Sequence, residues 1–147
     1  MIIYPDTSFI LSLWHEGDAN YAAAKRIFSK YSKDTWLWCD LHQLEVPVAA
    51  QVATHRVPDA LEEEIARTIV FRAERAVARG GFLRKQLPPE SVVFALGLAA
   101  AHGWKKKHTT LDLWDIGAAW ELGASFFATF DDRQAEIART LKFSTNL

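Results

Sequence analysis

Five acids stand where carboxylates can do chemistry rather than solvate a surface. Asp6 lies between a short β-prone run, residues 2–4, and an apolar run containing Phe9, Ile10, Leu11 and Leu13. An acid so placed either caps the helix that opens after it or marks the carboxyl end of a buried strand, where open α/β sheets bind ligands. Asp131 repeats that placement after the apolar run 124–130. Asp112 and Asp115 are i, i+3 neighbours on one face of a helix expected over 109–123, where two like charges repel unless a cation or a cap relieves them. Glu45 sits near the edge of an apolar stripe, Leu41, Leu44, Val48 and Val52, read as the buried face of a further helix. Taken alone, Glu45 also reads as an ordinary surface acid.

Brought to one edge, these acids make a carboxylate cluster with no matching fixed base. Neighbouring carboxylates raise one another's pKa, and hard divalent cations with a preference for oxygen relieve the cost. Mg²⁺ or Mn²⁺ suits the set better than zinc, because Cys39 is the only cysteine and the five histidines are scattered. Such ions turn a patch that repels phosphate into one that attracts it, activate water and stabilise the leaving oxygen of an in-line displacement.

The elements that must position these acids alternate. Strands are expected at 2–4, with Pro5 stopping regular pairing, at 36–39 and at 124–130. Helices are expected from the apolar run that Phe9 opens, over about 18–31, from Asp40 with Gln43 as a capping box, from Asp59 with Glu62 as a second capping box to about Ala78, from Pro88 to about His102, over 109–123, and over 134–141. Pro47 either bends the helix that carries Glu45 or makes it start near that residue. The segment 82–87 reads as an extended linker or edge strand, and the helix over 92–101 is apolar nearly all round, as for a central or interface helix. The order implies an α/β fold: a short parallel sheet with helices on both faces and the carboxyl ends of its strands on one edge.

With 147 residues, 50% hydrophobic and 24% charged, the chain is expected to be one domain, 1–147, that needs no disulfides. The absence of a long apolar run and of a basic-then-apolar leader leads to the expectation of a soluble cytoplasmic protein without membrane association. The formal net charge of −1 does not announce a nucleic-acid binder. Two basic groups are candidate phosphate contacts all the same: Arg72, Arg75 and Arg79 on one helix face, and the run Lys105, Lys106, Lys107 just before the paired acids. For both, a solvated surface is the simpler reading.

The run 4–11, then Leu41-His42-Gln43-Leu44-Glu45, then Thr110-Leu111-Asp112 through Ala118-Ala119-Trp120, then Ala128-Thr129-Phe130-Asp131 resembles the PIN-domain family. Pattern and size are similar to the VapC-type toxins of toxin–antitoxin modules. The resemblance implies that Asp6, Glu45, Asp112 and Asp131 form a catalytic, metal-binding acid set, with Thr7, Ser8 and Thr129 as polar supports. It further implies Mg²⁺- or Mn²⁺-dependent cleavage of single-stranded or loop RNA, a homodimer, and a small VapB-like antitoxin partner. Asp115 departs from the pattern, standing where many relatives have His; it is a fifth acid, a water orienter or a tolerated substitution. Pro47 departs as well.

Two other readings remain. The fold could be kept as a catalytically silent RNA- or partner-binding module. A haloacid-dehalogenase-type phosphohydrolase also starts with an acid after its first strand, but that family resembles Asp-x-Asp at this motif, and position 8 here is Ser.

Overall fold

The computed structural model describes residues 1–103 and 107–147. In chain order its elements are β1 (Ile2–Pro5), α1 (Thr7–Trp14), α2 (Tyr21–Lys30), β2 (Thr35–Trp38), α3 (Asp40–Ala53), α4 (Glu63–Ala78), β3 (Leu83–Arg84), α5 (Glu90–His102), α6 (Thr110–Glu121), β4 (Phe126–Ala128), α7 (Asp132–Thr140) and β5 (Ser144–Thr145). The strands form one sheet in the order β3-β2-β1-β4-β5, and every pairing is parallel. This is the expected α/β architecture, with β1 at its centre.

The three inner strands β1, β2 and β4 are buried on both sides, and side-chain alternation divides the core into two layers. Tyr4, Leu37, Cys39 and Phe127 pack with Ile116, Ala118 and Ala119 of α6 and with Ile137 and Ala138 of α7. Ile3, Trp36, Trp38 and Phe126 face the other way, toward Phe9, Ile10 and Leu13 of α1, Ala24 of α2, Val46 of α3 and Ala73 of α4. Because α1 follows β1, α3 follows β2 and α7 follows β4 at once, their first turns lie at the carboxyl rim of the sheet. α6 feeds β4 and so also starts at that rim.

Several local expectations need correction. Pro5 does not stop pairing: it is the last residue of β1 and opposes Ala128, a position that needs only its carbonyl. α3 does not start near Glu45 but continues through Pro47, at the cost of the hydrogen bond that Gln43 C=O would have accepted. Its buried face is Leu41, His42, Val46, Ala50 and Ala53, whereas Leu44, Val48 and Val52 are exposed. The Asp40–Gln43 capping box does not form. His42 caps instead, its Nδ1 accepting from Cys39 N at 2.9 Å, while Asp40 accepts from Leu87 N at 2.9 Å. α4 begins at Glu63 behind an uncapping Glu62, so Asp59 lies in the preceding loop. Of the two alternatives for α5, the central one does not hold: Ser91 and Leu98 are its buried residues, and Val92, Val93 and Leu96 face outward. The short edge strand β5 was not anticipated.

Candidate active site

Asp6 serves as both of the things its position suggested. As N-cap of α1 it accepts from Phe9 N at 2.7 Å, and at the carboxyl end of β1 it also accepts from Ser8 Oγ at 2.8 Å and Thr129 Oγ1 at 2.7 Å. It is 3% exposed, and burial pushes its carboxyl up to about 7 against those hydrogen bonds. Ser8 and Thr129, expected as supports, therefore contact the acid directly. Thr129 in turn accepts from Asp131 N at 2.9 Å, tying β1 to the start of α7.

Glu45 lies in the second turn of α3, half-buried, with Oε2 enclosed and lacking a hydrogen-bond partner. Thr7 Oγ1 is likewise buried and makes no hydrogen bond of good geometry among the described residues, although it approaches the Glu45 carboxyl. Burial raises the Glu45 carboxyl, close approach of the Thr7 and Asp115 side chains lowers it in part, and the charge of Asp112 raises it further. Asp115, one turn deeper in α6 than Asp112, is 2% exposed and accepts from Tyr4 Oη at 2.6 Å. Burial pushes it well above the usual carboxylate range, and Glu45 and Asp6 add to the push. Asp6, Glu45 and Asp115 thus form one electrostatically linked group.

Asp112 and Asp131 sit at the more open end. Asp112 closes a capping box with Thr109: its Oδ2 accepts from Thr109 N at 2.7 Å, and its own N–H donates to Thr109 Oγ1 at 3.2 Å. Asp131 is the N-cap of α7, accepting from Arg133 N at 2.8 Å, and the Arg133 guanidinium holds its carboxyl below the usual range. Arg133 is therefore a fixed base beside the acids, contrary to the expectation that none matched them. Gln134, buried between the two helix starts, was also missed. Its Nε2 donates to Asp112 Oδ1 at 3.4 Å, and its backbone N–H donates to Asp131 Oδ1 at 3.3 Å. Its place three residues after a capping Asp was the available signal.

With Asp112 and Asp131 engaged in this way, no three His, Cys, Asp or Glu side chains among the described residues already converge on a point that could hold a metal ion. The donor set nevertheless fits a hard divalent cation. It is all carboxylate, three of its members resist ionisation where they stand, and one oxygen of Glu45 is enclosed with no hydrogen bond of good geometry among the described residues.

The basic candidates separate. The backbone carbonyl of exposed Lys107 accepts from Arg133 Nη1 at 2.9 Å, which places that residue beside the acid rim. Lys105 and Lys106 lie outside the described residues. Arg72, Arg75 and Arg79 are not brought to the acids. α4 feeds β3 and so ends at the opposite rim, where Arg72 meets Trp14 O at the far end of α1 at 3.5 Å. Among the described residues no helix is long and apolar enough to cross a membrane.

A parallel α/β sheet with acids gathered at the carboxyl rim of its central strands is the class that fold and site define. Residues 3–140 match the family model of the PIN domain, and the chain belongs to that family. Its fold is similar to VapC20 of Mycobacterium tuberculosis, a toxin that cleaves the sarcin–ricin loop: TM-score 0.69 and 16% identity, over 92% of this chain and 94% of that one. It is also similar to VapBC2 of Rickettsia felis, solved on a DNA fragment from its promoter: TM-score 0.65 and 12% identity, over 99% and 98% of the two chains. VapBC-1 of nontypeable Haemophilus influenzae gives a TM-score of 0.64 and 16% identity, over 99% and 97%. No curated protein matches the chain by sequence.

Proposed function

We propose that the protein is a Mg²⁺- or Mn²⁺-dependent endoribonuclease that cuts single-stranded or loop RNA and acts as the toxin of a toxin–antitoxin pair. The observation that carries this reading is the strained state of the rim: Glu45 raises buried Asp6, Glu45 and Asp6 together raise buried Asp115, and the enclosed Glu45 Oε2 finds no donor of good geometry among the described residues. Asp6, Glu45, Asp112 and Asp115 are the residues that would hold the cation, with Asp131 at the edge. When bound, it supplies charge to draw in a phosphodiester, acidifies water and stabilises the leaving oxygen.

The chain's own residues set the stage for that step. Ser8 and Thr129 fix the Asp6 carboxylate, and Gln134 spaces Asp112 from Asp131. Arg133 puts positive charge beside an otherwise acidic rim, where an RNA phosphate can be gripped, and its hydrogen bond to the Lys107 carbonyl brings the backbone of a second basic residue there. The VapC likenesses support an antitoxin partner; a homodimer and a cytoplasmic setting are part of the same proposal.

The test is cleavage of a mixed structured RNA pool with Mg²⁺, Mn²⁺ or EDTA, beside Asp6→Asn and Asp112→Asn. Metal-dependent cutting lost in both folded variants is the expected result; retained cutting in both would sink the reading. The engagement of Asp112 by Thr109 and of Asp131 by Arg133 favours, as a second reading, a silent RNA-binding module. That predicts RNA retention by clean, antitoxin-free protein with no cutting under any of these conditions.

A further inference from the structure

We propose that Tyr4 is a positioning residue of the acid site, whose phenol fixes Asp115 as an additional carboxylate for the divalent cation. The inference rests on the metal-dependent reading above and assigns a role that the four-acid pattern of the family does not contain.

A buried carboxyl without a hydrogen-bond donor is costly, and Asp115 at 2% exposure is deeply buried. Its donor is Tyr4 Oη at 2.6 Å, 111 residues away in sequence and on the central strand. Tyr4 is itself fully buried, so its hydroxyl needs a partner just as much. A Phe at 4 and an apolar residue at 115 would fill the same space without either demand. The chain instead places a phenol and an acid in the core layer beneath Glu45, which is how a carboxylate is held for use rather than buried for stability.

The phenol is not free to follow a moving carboxylate. The ring lies parallel to Phe127, centroids 5.8 Å apart, and tilts against His42 at 4.6 Å. His42 is in turn pinned at both nitrogens, since Nδ1 accepts from Cys39 N and Nε2 donates to Pro5 O at 2.6 Å. With Oδ1 of Asp115 held by a donor so fixed, its carboxyl stays beside the Glu45 side chain, where a cation shared by the two would replace their direct contact. Outer partners of this kind set ligand orientation and metal affinity.

Mn²⁺ binding, read from the free-ion EPR signal and independent of turnover, tests the proposal on wild type, Tyr4→Phe, Asp115→Asn and the double variant, with circular dichroism to verify folding. Tyr4→Phe is expected to weaken Mn²⁺ binding about 10-fold. Asp115→Asn, which keeps an acceptor for the phenol, is expected to weaken it at least as much, and the double variant no further than Asp115→Asn alone. A Tyr4→Phe protein that melts earlier yet binds Mn²⁺ as wild type does would make Tyr4 a core residue only and overturn the proposal. So would additive losses, because Tyr4 would then not act through Asp115. Should Tyr4→Phe fail to fold, Asp115→Asn decides: unchanged affinity overturns the proposal and a loss supports it. Wild type that binds no Mn²⁺ would overturn the metal-dependent reading and this inference with it.

Discussion

The guanidinium of Arg133 closes on the carboxylate of Asp131, with Nη2 to Oδ2 at 2.6 Å and Nε to Oδ1 at 3.2 Å. The pair couples the start of α7 to the acid rim, and the same carboxylate caps the helix by accepting from Arg133 N and Gln134 N. Removing the cap and removing the charge are separable. Asp131→Ala is expected to lower unfolding free energy by about 1 kcal/mol, the usual worth of an N-cap. Asp131→Asn keeps an acceptor and is expected to cost clearly less. Equal losses in urea denaturation would mean that the ion pair, not the cap, anchors α7.

The pH dependence of stability without metal follows from groups shifted in opposite directions. Burial lowers His42 to about 4, so the unfolded chain takes up a proton that the folded one refuses. His42 therefore destabilises the fold as pH falls from about 6.5 to 4. Asp6, raised to about 7, does the reverse. Its stabilising contribution is complete below the ordinary carboxylate pKa and is lost as pH rises through 7, with Glu45 and Asp115 shifted in the same direction. In EDTA the melting temperature is expected to fall between pH 6 and pH 8, and Mg²⁺ or Mn²⁺ is expected to restore more of it at pH 8 than at pH 6. A flat profile in EDTA would show that the rim carboxyls are not strained by burial.

Asp6→Asn separates function from stability at a single atom. Asn can accept from Phe9 N as Asp6 does, so the α1 cap survives. Its amide needs an acceptor. Thr129 Oγ1 can serve, because its proton can turn to Gln134 Oε1 at 3.3 Å. Relief of a buried charge is then expected to stabilise the metal-free protein by about 1–3 kcal/mol at pH 8, as a raised carboxyl pKa implies. The same change is expected to abolish metal-dependent cleavage. Loss of stability together with loss of activity would instead mark Asp6 as a structural cap.

The sheet and its acid rim were legible because they are written in short-range signals: apolar runs of strand length, each followed by an acid and a helical pattern. Face selection in α3 was not. Two apolar stripes compete there, and periodicity shows that a face exists without showing that Val46 and Ala50, rather than Leu44 and Val48, meet the sheet. The Tyr4–Asp115 bond was hidden for a different reason, since no local pattern links residues 111 apart. Arg133 stood in plain sight two residues from Asp131, yet only the turn into α7 brings its guanidinium back onto that carboxylate. β5 pairs through just two residues, too short a run to carry any periodicity.

Gly117 tests how tightly the helix that carries Asp112 and Asp115 is held. A Cβ there would lie 2.5 Å from Ser91 O and 3.3 Å from Ala95 N, both backbone atoms of α5. Neither can yield as a flexible side chain would, so Gly117→Ala must push α5 and α6 apart. α6 also holds α5 through Trp114 Nε1, which donates to Ser91 Oγ at 2.9 Å, and the shift strains that bond. Overpacking of this kind is expected to cost about 1–3 kcal/mol, against the small gain that Ala brings to a helix interior. Because Asp115 lies two residues away on α6 and meets Tyr4 on the fixed central strand, the displacement is also expected to weaken Mn²⁺ binding. A Gly117→Ala protein as stable as wild type in urea denaturation would show that α5 can move away freely, and that the close approach of the two helices does not hold the acids in place.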